Sequence, residues 1–185
     1  MLPEAPAAYT QALYLRRFMA EVKLKGNPIH TNGKLPLKGE KAPEIRGVGA
    51  DLIEKTLADF KGKKKIVCFV PSLDTGVCST SAQRFNEAVK KLPGTVVIYV
   101  SVDTPFALGR VCVAENGMGQ IIPLSLVRSK KTAEDYGILL QDGPLAGVCA
   151  RSVVVLDESD QVVYTQLVDE ITTEPDYDQA LKAAT

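Results

Sequence analysis

Histidine occurs once in this chain, no two cysteines form a C-x-x-C pair, and no apolar run approaches membrane-spanning length. Each absence removes a class of function. Without C-x-x-C spacing, a structural zinc site and a thioredoxin-type dithiol are both poor readings. With His30 as its lone histidine, and that residue expected on a surface strand, the chain is badly equipped for the imidazole base of a cysteine hydrolase. Net charge is also missing: 22 basic residues balance 22 acidic ones. The largest basic cluster, Lys61-Gly62-Lys63-Lys64-Lys65, reads as a solvated turn before a strand, so a nucleic-acid partner is disfavoured. Four cysteines in 185 residues are too sparse for a disulfide-stapled secreted domain. One or two working thiols in a reducing, cytoplasmic setting fit better.

What is present describes one ordinary globular domain, with 45% hydrophobic and 24% charged residues. Residues 1–20 stand apart. Their apolar stretch from Ala7 to Ala20 is interrupted by Arg16 and Arg17, and Glu4 sits where a secretory signal would be cationic. A short extra helix is the favoured reading of this extension, with a degenerate targeting segment or a vector remnant as alternatives. Residues 21–185 then form the domain. Glu21 to Pro36 reads as a β-hairpin around Gly26-Asn27 and Asn32-Gly33. An extended piece from Lys41 and a short helix within Leu52–Phe60 follow. The pattern then gives strand 65–70, helix 78–92, strand 95–102, helix 105–115, strand 120–124 and helix 131–136. Strands 152–156 and 162–168 and a helix from Pro175 complete it. Early strand–helix–strand units followed by a late hairpin and helix describe a thioredoxin-like α/β fold, a mixed sheet flanked by helices. Its first half supplies parallel strands and its second an antiparallel pair.

Chemistry concentrates at Pro71-Ser72-Leu73-Asp74-Thr75-Gly76-Val77-Cys78. This segment leaves the strand Lys65–Val70 and enters a helix whose Ala82, Phe85, Ala88, Val89 and Leu92 recur at helical spacing. Cys78 therefore falls in a first helical turn, where unpaired N–H groups and the helix dipole favour a thiolate. Ionisation alone is a limited lever. A thiol with a pKa of ~8.5 is a few per cent ionised at neutral pH, and lowering it to ~6 gains roughly 30-fold. Falling nucleophilicity offsets part of that gain. A fast thiol reaction needs donors aimed at the other reactant as well.

Thr75 and Arg151 are the candidates. Thr75 precedes Cys78 by three residues, within reach of the backbone or the sulfur. Arg151 stands at the mouth of the strand Ser152–Leu156, and Pro71 stiffens the loop and shields the sulfur from one side. Each has a plainer reading: Thr75 as a helix N-cap, Arg151 as a surface ion pair, Cys78 as a small buried hydrophobe.

Pro71, Thr75 and Cys78 reproduce the P-x-x-x-T-x-x-C signature, and the whole string resembles the thiol peroxidase branch of the peroxiredoxins, the atypical two-cysteine enzymes. The likeness continues at Pro105-Phe106-Ala107 through Arg110 and Cys112, at Asp142-Gly143-Pro144-Leu145, at Ala150-Arg151, and at Gln166 through Tyr177. It spans roughly residues 22 to 185. The resemblance implies that Cys78 is the peroxidatic cysteine, attacking the O–O bond of a hydroperoxide to become a sulfenic acid. It implies that Cys112 is the resolving cysteine, closing an intrachain disulfide that thioredoxin reduces, with no metal, haem or flavin. Thr75 and Arg151 match the residues that hold peroxide and activate the thiolate. Family members are homodimers that prefer alkyl hydroperoxides.

A sulfenic acid needs an accessible thiol with a resolving partner, and no disulfide forms while the two Cα atoms stand more than ~7 Å apart. Local unfolding around Cys78 and Cys112 is therefore expected during turnover. Departures from the family pattern are Cys149, where a small alanine-like residue is expected, and Gly109, which replaces a bulkier polar residue and loosens the Cys112 helix. Cys149 and Cys68 are expected to be buried and inert. The rival to an enzyme is a redox sensor or binding module that uses the same disulfide as a switch.

Overall fold

Strand alternation decides which side of the central sheet each residue serves. The computed structural model describes residues 19–114 and 121–185. The expected N-terminal helix thus falls outside the described residues, save for the last two residues of its segment, and so does Gln120. Strands β1 (Glu21–Leu24) and β2 (Asn27–His30) form a separate hairpin, and β3 (Arg46–Val48), β4 (Glu54–Thr56), β5 (Lys64–Phe69), β6 (Thr95–Ser101), β7 (Ile121–Ser125), β8 (Ser152–Leu156) and β9 (Val162–Leu167) form a seven-stranded sheet in the order β4-β3-β7-β6-β5-β8-β9. Strands β5, β6 and β7 run parallel. β8 is antiparallel to β5 and to β9, so the parallel-then-antiparallel order read from the sequence holds.

In β5, β6 and β8 both faces are buried, which is why they read as continuous apolar runs. Val67, Phe69, Ile98, Val100, Val154 and Leu156 pack on one side, with the hairpin's Val22 and Ile29 and with Tyr136. Ile66, Cys68, Val97, Tyr99, Val153 and Val155 pack on the other, against helices α1 (Gly76–Val89), α2 (Pro105–Ala114) and α4 (Tyr177–Ala184). Phe69 packs at a tilt of 48° and 4.8 Å on Tyr136, just beyond the short helix α3 (Lys131–Asp135), and Phe85 meets Tyr177 edge-on at 5.1 Å.

Local chemistry accounts for the boundaries. The β1–β2 turn has only Lys25 and Gly26 between paired Leu24 and Asn27, with φ of 52° and 80°. Two positive φ values in a two-residue loop are the type I′ geometry that matches strand twist. Gly137, with φ of 68°, ends the α3 segment, and a Cβ there would lie 2.4 Å from the Lys34 backbone. The close approach leaves room for glycine alone.

The stretch Leu52–Phe60 differs from expectation. Leu52 takes φ of 65° in a tight turn, Glu54–Thr56 pairs with β3, and a 3₁₀ turn covers only Leu57–Phe60. Pairing to an available sheet edge outweighed helical propensity there.

Candidate active site

The meeting of Cys78 with Arg151 follows from strand register. Phe69, the last residue of β5, pairs with Ser152, the first of β8. The loop leaving β5 and the residue entering β8 are therefore neighbours. Arg151 shares the parity of Val153 and Val155, so its side chain belongs to the α1 side of the sheet. There its Nη1 donates to Cys78 Sγ at 3.2 Å and its Nε donates to the carbonyl of Ile171 at 2.8 Å. Both side chains are buried, Cys78 at 0% exposure and Arg151 at 4%. A buried guanidinium thus donates directly to the sulfur and is held there by a second, backbone bond. The surface ion-pair reading of Arg151 is thereby set aside.

The loop before α1 is held by its own polar groups and by Asp103. Asp74 N–H donates to Ser72 Oγ at 3.2 Å, and Leu73 N–H donates to Asp103 Oδ2 at 2.8 Å. Asp103 also accepts from Ser101 Oγ at 2.8 Å, which ties the loop to the end of β6. Thr75 stands at the N-cap of α1 with extended backbone, yet makes no side-chain cap bond. Its hydroxyl donates to the Ser72 carbonyl at 3.3 Å and bonds the backbone rather than the sulfur.

A cavity of about 440 Å³ opens over this arrangement. Leu24, Pro71, Val77, Leu145, Val148 and Ile171 make its walls apolar, while Thr75, Thr172 and Arg151 supply polar atoms. Arg151 both lines the cavity and touches the sulfur, so it joins the open space to the buried nucleophile. Pro71 and Thr75 line it as well, which brings four of the five sequence candidates together. The fifth, Cys112, lies in α2, and its side chain is outside the described residues.

The other thiols are removed from such chemistry. Burial pushes the Cys68 thiol far above its ordinary range and the Cys149 thiol up to about 12. Both are fully covered, so a thiolate is costly at either position. Cys68, Cys78 and Cys149 are free. His30 bonds Asp142 through Nδ1 at 2.8 Å, on the hairpin. Among the described residues no group of three or more His, Cys, Asp or Glu is arranged to hold a metal ion, and no helix is long and apolar enough to cross a membrane.

Two contributors escaped the sequence reading. One is the Ile171 carbonyl that fixes Arg151, since a backbone acceptor has no residue signature. The other is the apolar wall from Leu24, at the end of β1, and from Leu145 and Val148, on the segment between α3 and β8.

An arginine-held thiol at the first turn of a helix, set beside a parallel strand of a thioredoxin-like sheet, defines a class of thiol-based redox proteins. The Redoxin family matches residues 37–181, and the chain belongs to it. Within that family its relatives are thiol peroxidases. The thiol peroxidase of Corynebacterium glutamicum is 50% identical over 165 residues, covering 89% of this chain and 99% of that one. The thiol peroxidase of Leptospira interrogans is 44% identical over 167 residues, covering 90% and 98%. A crystal structure of a peroxiredoxin-like protein from Aquifex aeolicus superposes with a TM-score of 0.84 at 40% identity, over 90% of this chain and 97% of that one. The protein is accordingly a thiol-dependent peroxidase of the peroxiredoxin type, and the non-catalytic switch is not favoured.

Proposed function

We propose that this enzyme reduces hydroperoxides, alkyl hydroperoxides above all, through Cys78 as peroxidatic and Cys112 as resolving cysteine. The observation that carries the reading is the 3.2 Å contact from Arg151 Nη1 to Cys78 Sγ. The Cys78 thiolate attacks the outer oxygen of ROOH, the O–O bond breaks, and the alkoxide leaves as ROH after taking a proton. Cys78 is then a sulfenic acid. Arg151 stabilises the thiolate and then the charge that builds on the departing oxygen. Thr75, on the cavity wall, offers its hydroxyl oxygen to the incoming peroxide, and Pro71 keeps the loop from flooding the sulfur with water. The apolar wall of Leu24, Leu145, Val148 and Ile171 supports an organic R group over a bare hydroxyl.

The Cys112 thiol condenses with the sulfenic acid, forming an S–S bond and releasing water. Thioredoxin supplies the two electrons that reopen it, in the cytoplasm. Because Cys78 is fully buried in an intact helical turn, this step requires the start of α1 and the segment around Cys112 to unravel. We also propose a homodimer. The exposed Leu52, Ile53 and Phe106 support it, because the β3–β4 loop approaches α2, with a Cβ on Gly109 lying 3.5 Å from that of Ala50.

Consumption of cumene hydroperoxide and hydrogen peroxide with thioredoxin tests the scheme. Cys78→Ser is expected to abolish turnover, and retained activity would defeat the assignment. Cys112→Ser is expected to react with one equivalent of peroxide and stall. Normal turnover of that variant with thioredoxin would defeat the two-cysteine cycle while leaving the peroxidase intact.

A further inference from the structure

Arg151 reaches Cys78 through one nitrogen while another is tied to the Ile171 carbonyl, so whatever fixes Ile171 also fixes the arginine. Ile171 follows β9 and is 3% exposed. Its N–H donates to the Lys23 carbonyl at 2.9 Å, and the Lys23 N–H donates to the Asp169 carbonyl at 2.6 Å. The segment Asp169–Ile171 thus runs alongside β1 of the hairpin, with Glu170 bridged to Lys23. The Glu170 side chain completes the join. Its carboxylate accepts from Lys25 N–H at 3.0 Å and Gly26 N–H at 2.9 Å, both in the type I′ turn. It also accepts from Thr172 N–H at 3.1 Å and Thr172 Oγ1 at 2.7 Å. One carboxylate therefore clamps the hairpin turn to the residues on either side of Ile171.

We infer that Glu170 is a positioning residue for the peroxidatic reaction, holding the Ile171 carbonyl where it aims the Arg151 guanidinium at Cys78. The inference rests on the role of Arg151 proposed above. Hydrogen bonds to an ionised acceptor are short and directional, and these four come from two separate chain segments. Neither segment has another side chain that bonds both the hairpin turn and Thr172. Misplacing a reacting group by about 1 Å costs up to ~10²-fold in rate. Loss of a clamp one residue from the carbonyl is expected to cost part of that, about tenfold.

Single-turnover consumption of hydrogen peroxide and of cumene hydroperoxide by the pre-reduced protein tests this in wild type, Arg151→Ala, Glu170→Ala, Glu170→Gln and Glu170→Ala/Arg151→Ala. Glu170→Ala is expected to slow both substrates by the same factor. Glu170→Gln, which keeps one acceptor oxygen, is expected to fall between Glu170→Ala and wild type, and it carries the test should Glu170→Ala not fold. In the Arg151→Ala background, Glu170→Ala is expected to slow the reaction no further. Slowing of cumene hydroperoxide alone would overturn the inference, since Glu170 would then only shape the cavity wall beside Leu24 and Thr172. Full multiplication of the two single effects would overturn it as well, as would unchanged rates in both Glu170 variants. Should Arg151→Ala itself leave the rates unchanged, the failure lies in the reading of the site rather than in the clamp.

Discussion

The two sides of the Cys78 cavity are held by different kinds of contact. On the Arg151 side, hydrogen bonds run from the guanidinium to Ile171, from Ile171 to Lys23 and from Lys23 to Asp169, around a core residue that is 3% exposed. On the other side, the loop carrying Asp74 meets α2 through an ion pair with Arg110 at 3.0 Å, whose side chains are 61% and 70% exposed. α2 itself contains Gly109, which weakens a helix by about 1 kcal/mol relative to alanine. The difference fits the two halves of the proposed cycle. Peroxide attack needs a charge fixed in one place, while disulfide formation needs two helical segments that come apart at small cost.

Disturbing either side sharpens this contrast. Arg151→Ala removes the charge from the fixed side and is expected to slow peroxide consumption by ~10²-fold, read as a second-order rate at constant fold by circular dichroism. Gly137→Ala attacks the support under the fixed side: its φ of 68° and a Cβ 2.4 Å from Lys34 backbone are expected to cost about 2–4 kcal/mol in urea unfolding.

Gly109→Ala does the reverse on the movable side. Among the described residues the new Cβ meets only Ala50, at 3.5 Å, an ordinary contact. The helix should gain about 1 kcal/mol, and disulfide formation after oxidation should slow roughly fivefold. A rate equal to wild type would mean that α2 does not open during resolution. Asp74→Asn is expected to speed the same step only about twofold, since an exposed pair contributes ~0.5 kcal/mol. High salt should erase that difference.

The smallest effect concerns acid. Bonds from Gly26 and Thr172 hold the Glu170 carboxyl at about 2, against an ordinary 4.5. A depressed carboxyl contributes stability above pH ~4.5, and the contribution is lost as pH falls towards 2. The gap in urea midpoint between wild type and Glu170→Gln should therefore close across that window. A gap that stays constant would show that the carboxylate charge is not what the clamp uses.

These contrasts also mark what a single chain of letters reveals. The strand read at 65–70 and the helix read at 78–92, observed as Lys64–Phe69 and Gly76–Val89, were legible because apolar period and the Pro-Gly stop act locally. Cys78 in a first turn followed directly. Arg151 was legible as a strand-mouth residue, but its contact with the sulfur depends on the Phe69–Ser152 register, set by long-range pairing. The docking of Asp169–Ile171 on Lys23 was invisible, because backbone bonds between segments some 146 residues apart leave no mark on residue type. The strand Glu54–Thr56 lay unseen inside the stretch Leu52–Phe60 read as holding a short helix, for a related reason: its partner, not its composition, makes it extended.

The 73 residues that separate Cys78 from Arg151 carry a consequence for the making of the enzyme. Synthesis proceeds from the N-terminus at ~5–20 residues per second. The cysteine leaves the ribosome seconds before its arginine, and later still comes the carbonyl that aims the guanidinium. If the roles proposed for Cys78 and Arg151 hold, the sulfur lacks its guanidinium partner until β8 and the segment after β9 have been translated, and the unfinished chain is spared premature oxidation over that interval.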